Sequence, residues 1–137
     1  MHLKRQNIGK FWPVPRKGTK YLAVSTHDQK NSIPLIIVVR DVLGLVRTKK
    51  ELKNLLKEKK IKINGKVITE TNYPLRLFDV LLLNDKNYRV GLSKHKKIML
   101  DNISDNFDKK TIKITGKKII KGNKIQLNLI DGRNVIY

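Results

Sequence analysis

The chain has 137 residues, enough for one ordinary domain or two very small ones. It carries 31 Lys+Arg against 11 Asp+Glu, and this net charge of +20 makes nucleic acid the first candidate partner and a membrane surface the second. The sequence contains no cysteine, which excludes disulfides and thiolate metal sites. Its longest apolar run, residues 33–39, is too short to span a bilayer, and no signal-peptide pattern opens it. We therefore expect a cytoplasmic protein with no membrane partner.

The first segment, residues 1–32, is predicted to be a basic, extended N-terminal arm rather than a packed element. Its first 27 residues hold six Lys/Arg and no acidic residue, together with two prolines and two glycines, and they show no clear period. Trp12 lies among Lys10, Arg16 and Lys17. Two interpretations stay open for it: stacking on a base, or packing on the domain.

A first helix is predicted to begin near residue 33. Ser32 can cap it, Pro34 suits its first turn, and apolar residues then recur at helical spacing. Gly44 is a plausible end. The β-branched residues at 36–39 also permit a strand.

The second helix has a clearer signature. Thr48 and Glu51 have the spacing of a capping box, and leucines at 52, 55 and 56 form one apolar face. At about 100° per residue, four lysines fall within an arc of about 80° beside those leucines: Lys49, Lys53, Lys57 and Lys60. This lysine stripe is either a solvated face or a surface for a polyanion.

A hairpin and further strands are predicted next. Asn64 and Gly65 form the strongest two-residue hairpin signal, flanked by alternating apolar residues, and residues 75–83 are predicted to form a strand or a tight turn plus a strand. Residues 33–84 would form a helix–helix–hairpin module. Residues 85–137 would form an antiparallel β domain with two or three hairpins, as an open sheet or incomplete barrel. The predicted fold class is α+β.

Nothing in the sequence indicates catalysis. The three histidines lack metal-ligand spacing, and the glycines of GKKIIKGNK (residues 116–124) suit a hairpin turn better than a phosphate loop. Asp41, Asp79 and Asp131 could each act as a base, but no partner is evident for them. We predict no enzyme, no metal site, no cofactor and no small-molecule substrate. Aromatic residues are few, which favours recognition of RNA shape and backbone over base readout.

Several stretches together resemble one family. HLKRQNIGKFWPVPRK, SIPLIIVVRDVLGLVRTKKELKNLL, KIKINGKVITETNYPLRLFDVLLL and DGRNVIY are similar, in order and spacing, to the small-subunit ribosomal protein family S4e of archaea and eukaryotes. The resemblance covers essentially the whole chain. It implies a structural protein of the small ribosomal subunit whose partners are ribosomal RNA and neighbouring ribosomal proteins.

The resemblance also implies which residues bind RNA. The arm would run along ribosomal RNA, and the module, which is shared with the bacterial S4 protein and several RNA-modifying enzymes, would present its basic side chains. The implied set is Lys4, Arg5, Lys10, Trp12, Arg16, Lys17, Arg47, Lys49, Lys50, Lys53, Lys57, Lys60, Lys62, Asn64 and Lys66.

The sequence departs from the family in one respect. Family members usually continue past the DGRNVIY motif into a further β part and a C-terminal KOW-type domain, so we expect a reduced or truncated member. The last strands would then be rigid only if RNA or a neighbouring protein covers their edge. Two alternatives remain: a free RNA- or DNA-binding regulator that uses the same module, and, ranked lower, an RNA-modifying enzyme, for which the chain leaves no catalytic domain.

Overall fold

The computed structural model describes residues 2–104 and 110–137, and it has the predicted α+β architecture of few short helices and open antiparallel sheets. In this part of the chain, no helix is long and apolar enough to cross a membrane. The strands are β1 Leu3–Lys4, β2 Tyr21–Leu22, β3 Ile33–Pro34, β4 Ile61–Ile63, β5 Lys66–Val67, β6 Pro74–Leu75, β7 Val80–Leu83, β8 Lys86–Leu92, β9 Ile98–Ile103, β10 Ile114–Ile120, β11 Lys124–Leu129 and β12 Asn134–Ile136. Helix α1 spans Leu35–Ile37 and continues as a wide π-helical turn over Val38–Val42. Helix α2 spans Lys49–Lys57, and a short 3₁₀ turn spans Arg5–Asn7.

The N-terminal segment is folded onto the domain, so the prediction of an unpacked arm was wrong. β1 pairs antiparallel with β2, and the backbone N–H of Ile98 donates to the carbonyl of Phe11 at 2.8 Å. Trp12 is only 3% exposed and belongs to the core, which confirms the alternative in which it packs on the domain. The segment has no period because its apolar residues are spread over turns, and each reaches the core separately.

The first helix is shorter than predicted and is not capped by Ser32. The Ser32 hydroxyl instead donates to the carbonyl of Asp28 at 2.7 Å, and it lies within hydrogen-bond distance, 3.0 Å, of the Ser25 hydroxyl. Ile33 and Pro34 pair with β6 as a strand, but residues 36–39, whose β-branched side chains also permitted a strand, are helical. Gly44, with φ of +65°, follows the last helical residues as predicted.

The main sheet has five strands in the order β5-β4-β7-β8-β9, all antiparallel. Gly65, with φ of +79°, and Asn64, with φ of +50°, supply the predicted turn between β4 and β5. Between β6 and β7 the chain makes a tight turn, which confirms the alternative of a tight turn plus a strand for residues 75–83. The predicted boundary between residues 84 and 85 falls in the tight turn between β7 and β8, two paired strands of one sheet.

The core lies between α1, α2 and one face of the main sheet. Leu35, Leu52, Ile61 and Leu81 are among its fully buried side chains. β10, β11 and β12 form a separate three-stranded sheet, whose first turn contains Gly122 with φ of +84°, as the hairpin interpretation of residues 116–124 predicted. Several apolar side chains of this C-terminal sheet are exposed, including Ile119 and Ile136.

Candidate nucleic-acid interface

Helix α2 carries an exposed row of lysines. Its start is fixed by the predicted capping box, in which the Glu51 N–H donates to the Thr48 hydroxyl at 3.2 Å and that hydroxyl donates to the Glu51 carboxylate at 3.0 Å. Leu52 and Leu56 are buried against the core. Lys49, Lys53 and Lys57 flank the buried face, are exposed, and form no salt bridge within the described residues.

Lys60 does not belong to this row, which corrects the prediction of a four-lysine helical stripe. The helix ends at Lys57, and Lys59 has φ of +56°, so the chain turns away before Lys60. The ammonium of Lys60 lies 2.6 Å from the carboxylate of Glu58. The lysine row of the structure therefore consists of Lys49, Lys53 and Lys57 alone.

The hairpin presents its lysines on different sides. Lys62 alternates with buried Ile61 and Ile63, so its side chain lies on the opposite face of the sheet from theirs. Lys66 stands opposite Ile63 in the register and therefore lies on the other side of the hairpin from Lys62. Lys62 lines a cleft of about 490 Å³ at the end of α2 with Lys59 and Lys60.

The Asn64 side chain is used inside the protein. Its amide nitrogen donates to the Asp79 carboxylate at 2.9 Å, and its amide oxygen accepts from the Val80 N–H at 3.0 Å. Asp79 also accepts from the backbone N–H of Arg76 at 2.7 Å. Asn64 was predicted to contact RNA; its side chain instead holds the hairpin turn against the start of β7.

The N-terminal segment forms a basic cleft of about 400 Å³ around Arg5. The Arg5 guanidinium donates to the carbonyls of Thr19 at 2.8 Å and Pro15 at 2.5 Å, so Arg5 organises the loop. Gly18, with φ of +139°, allows this approach, since a Cβ there would lie 2.7 Å from the guanidinium. The exposed cations of this cleft are Lys4, Arg16, Lys17 and Lys20.

A second N-terminal cleft, of about 700 Å³, brings distant cations together. Lys10 and Arg16 line it with Lys97 and His95 from the β8–β9 turn. Trp12 contributes to its wall but, being 3% exposed, has no free face on which a base could stack. Lys20, Lys59 and Lys97 also line these clefts and were not in the predicted set. Lys20 and Lys59 are near predicted lysines in the sequence, whereas only the fold brings Lys97 beside Lys10. Arg47 and Lys50 are exposed at the start of α2.

An ionic junction joins the C-terminal sheet to the module. The Lys110 ammonium lies 2.5 Å from the Asp79 carboxylate and 3.6 Å from that of Asp131, and Arg133 donates to Asp131 at 2.7 Å. The expectation that Asp41, Asp79 and Asp131 lack partners was wrong, since Arg40 also pairs with Asp41 at 2.7 Å.

The junction also sets the charge state of Asp131. Burial by itself would raise the pKa of this carboxyl, but hydrogen bonds from Arg133 and the charges of Arg133 and Lys110 outweigh burial and lower it. Asp131 is therefore held as a carboxylate whose charge is compensated by Arg133 and Lys110. Because Lys110 also pairs with Asp79, this arrangement connects the C-terminal sheet to the module. Within the described residues, no group of three or more His, Asp or Glu side chains is placed to hold a metal ion.

Comparison with known proteins gives two matches that follow each other along the chain. Residues 34–81 match the S4 domain, and residues 84–137 match the family described as Ribosomal family S4e.

Several curated relatives are similar over nearly the whole chain. The "Small ribosomal subunit protein eS4" of Methanococcus aeolicus is 41% identical over 98% of this chain, and that of Methanospirillum hungatei is 37% identical over 98%. The chain spans 57% and 58% of their respective lengths. The crystal structure of the 30S ribosomal protein S4e from Thermoplasma acidophilum superimposes with a TM-score of 0.64 at 30% identity, covering 78% of this chain and 56% of that one.

Proposed function

Because this chain belongs to the ribosomal S4e family, we propose that it is a structural constituent of the small ribosomal subunit and binds ribosomal RNA there. The observation that carries the proposal is the similarity over 98% of the chain to relatives named small ribosomal subunit protein eS4. Their place in the ribosome also supports a cytoplasmic location and neighbouring ribosomal proteins as partners. The family is a class of structural ribosomal proteins, and no catalytic role is proposed.

The charge distribution supports RNA as the ligand. The lysine row faces away from the core without neutralising carboxylates in the described part of the chain, and the N-terminal clefts add a second basic area. Lysine and arginine bind phosphates by releasing condensed counterions, so many exposed cations bind RNA strongly and with a steep salt dependence. We propose as contacts the exposed members of the predicted set: Lys4, Lys10, Arg16, Lys17, Arg47, Lys49, Lys50, Lys53, Lys57, Lys60 and Lys66, with half-buried Lys62.

The organisation predicted from the sequence stays part of this proposal. The N-terminal 1–32 segment would supply one basic area, the 33–84 module the lysine row, and residues 85–137 the remaining strands. The two matched ranges, 34–81 and 84–137, support the division after the module.

Sedimentation tests the proposed function. In a lysate of cells that make the protein, it should comigrate with small ribosomal subunits on a sucrose gradient and be released progressively by washes of rising salt. A protein that stays at the top of the gradient at low salt would contradict the proposal. Preference of the purified protein for duplex DNA over ribosomal RNA at matched salt would favour a free regulator instead.

A further inference from the structure

A cleft of about 510 Å³ lies beside the lysine row and has a lining unlike the other basic clefts. Its floor includes buried Leu56, one wall carries Lys53 and Lys57, and the opposite wall is the polar turn that contains Glu70 and Asn72. This volume lies within the range of small-ligand sites. The lysines and the Glu70 carboxylate share the cleft, yet no salt bridge joins them.

The polar wall is held in place before any ligand arrives. The backbone N–H of Thr26 donates to the Asn72 carbonyl at 3.1 Å, and the Thr26 hydroxyl donates to one carboxylate oxygen of Glu70 at 3.0 Å. The N–H of Ile36, at the start of α1, donates to the Thr71 carbonyl at 3.0 Å, which fixes this turn to the core. A rigid wall lowers the entropic cost of binding a small group.

The wall presents a defined order of hydrogen-bonding groups. The carboxylate of Glu70 accepts only, and within the described residues its Oε1 has no partner. The Asn72 amide oxygen accepts from the Thr71 hydroxyl at 3.3 Å, which leaves the Asn72 amide nitrogen to donate. The wall therefore offers the free Oε1 of Glu70, an Oε2 that already accepts from Thr26 and keeps a second lone pair, and one donor, the Asn72 amide nitrogen.

From this arrangement we infer that the cleft binds one unpaired guanine of the bound RNA, an inference that rests on the proposed RNA-binding function. The Watson–Crick edge of guanine donates from N1 and N2 and accepts at O6, which complements Glu70 and Asn72. Lys53 and Lys57 hold the phosphates on either side of the extruded nucleotide. Uracil presents two carbonyl oxygens on the same edge, and the carboxylate repels them. Specific RNA recognition commonly reads unpaired bases in this way.

The experiment compares RNA hairpins that are identical except for one bulged nucleotide, using the purified full chain and fluorescence anisotropy at fixed salt. Guanine should bind about tenfold tighter than inosine, which lacks the N2 amino group and its charge-assisted hydrogen bond. The protein should also bind hairpins with an adenine or uracil bulge more weakly than the hairpin with the guanine bulge. The variant Glu70→Gln should remove the preference for guanine and leave binding to a bulge-free stem unchanged. Glu58→Gln, the same charge change directly after α2 and outside the lining of the cleft, should keep the preference.

Two results would overturn the inference, and they differ in what they say about the proposed function. Equal affinity for all four bulges, with salt-dependent binding intact, would overturn the guanine site and leave the RNA-binding function standing. An equal gain in affinity for every bulge in Glu70→Gln would show that the carboxylate only repels phosphates. Absence of RNA binding altogether would overturn both.

Discussion

Asn64 shows how one side chain can fix two elements. Its backbone adopts the left-handed conformation that the turn requires, while its amide connects the Asp79 carboxylate and the Val80 N–H. These two hydrogen bonds place the tip of the hairpin against the start of β7. The hairpin and its lysines therefore have a fixed position relative to α2.

Substituting Asn64 tests this role. Asn64→Ala should lower the free energy of unfolding by about 2 kcal/mol, since it leaves the partly buried Asp79 and Val80 groups without their partner. Urea unfolding followed by circular dichroism measures the loss. Asn64→Gly, which tolerates the positive φ, should be less harmful than Asn64→Ala by about 0.5–1 kcal/mol. A loss below the error of the measurement in both variants would contradict a structural role.

The sequence predicted the turn at Asn64 but not the partner of the amide. A dipeptide of Asn and Gly specifies a local backbone conformation, and this is visible in the sequence. Asp79 lies 15 residues away and reaches Asn64 only once the sheet has formed. Trp12 shows the same limit, because residues distant in the chain decide whether an aromatic ring is buried or exposed.

Helix α2 is the element in which local sequence determines most of the structure. The capping box forms as predicted and lowers the pKa of Glu51, chiefly through the hydrogen bond from the Arg47 N–H and then through that from the Thr48 hydroxyl. The end of the helix was not predictable, because no glycine or proline marks it. Lys59 takes the left-handed conformation there instead, and this removes Lys60 from the row.

Removing the cap should weaken the start of the helix. Thr48→Ala should cost about 1 kcal/mol of stability, and it should raise the pKa of Glu51 because one hydrogen bond to the carboxylate is lost. Because the pKa of Glu51 is lowered in the folded protein, its contribution to folding stability is present above the ordinary glutamate pKa. That contribution is lost as the pH falls through the pKa of the folded protein. Carboxyl NMR titration of both proteins measures the shift, and an unchanged Glu51 midpoint in Thr48→Ala would contradict the cap.

The ionic junction is a second element whose contribution depends on pH. The lowered pKa of Asp131 means that its stabilising effect is complete above the ordinary carboxyl range and disappears as the pH falls through the folded value. Arg133→Gln should raise that pKa, since the dominant lowering contributions come from Arg133. NMR titration of the Asp131 carboxyl tests this, with Arg76→Gln as a matched loss of charge nearby that leaves Asp131's hydrogen bonds intact. Equal midpoints in wild type and Arg133→Gln would show that the junction does not hold the carboxylate.

On the scale of the whole molecule, the sequence predicted the fold class and the family but not how the parts pack together. Alternation and turn residues specify strands locally, which is why the hairpins were predictable. The packing of the N-terminal segment against Ile98 and the pairing of Lys110 with Asp79 depend on contacts between residues far apart in sequence. The packing against Ile98 brings Lys97 beside Lys10, and the contacts of Thr26 with Glu70 and Asn72 shape the cleft beside the lysine row. Neither could be found from periodicity.

The high net charge is distributed over several surfaces rather than one. Lys62 and Lys66 lie on opposite sides of the hairpin, and the N-terminal clefts are lined by a different group of cations from those of the lysine row. An RNA that engages all of them must wrap around the protein, as folded ribosomal RNA can and a short duplex cannot. The proposed RNA-binding function accounts for a net charge of +20 on this chain.

The most direct test of the RNA-binding surface is the salt dependence of affinity for small-subunit ribosomal RNA. The logarithm of the association constant is measured against the logarithm of salt concentration for wild type and for the lysine-row variant Lys49→Gln/Lys53→Gln/Lys57→Gln. The control is Lys117→Gln/Lys118→Gln/Lys121→Gln, an equal loss of charge on the β10–β11 hairpin. Each phosphate contact contributes about 0.7–0.9 to the magnitude of this slope. The slope of the lysine-row variant should therefore be smaller in magnitude by about two to three units, and that of the control by less than about one. Identical slopes for wild type and the lysine-row variant would contradict the account.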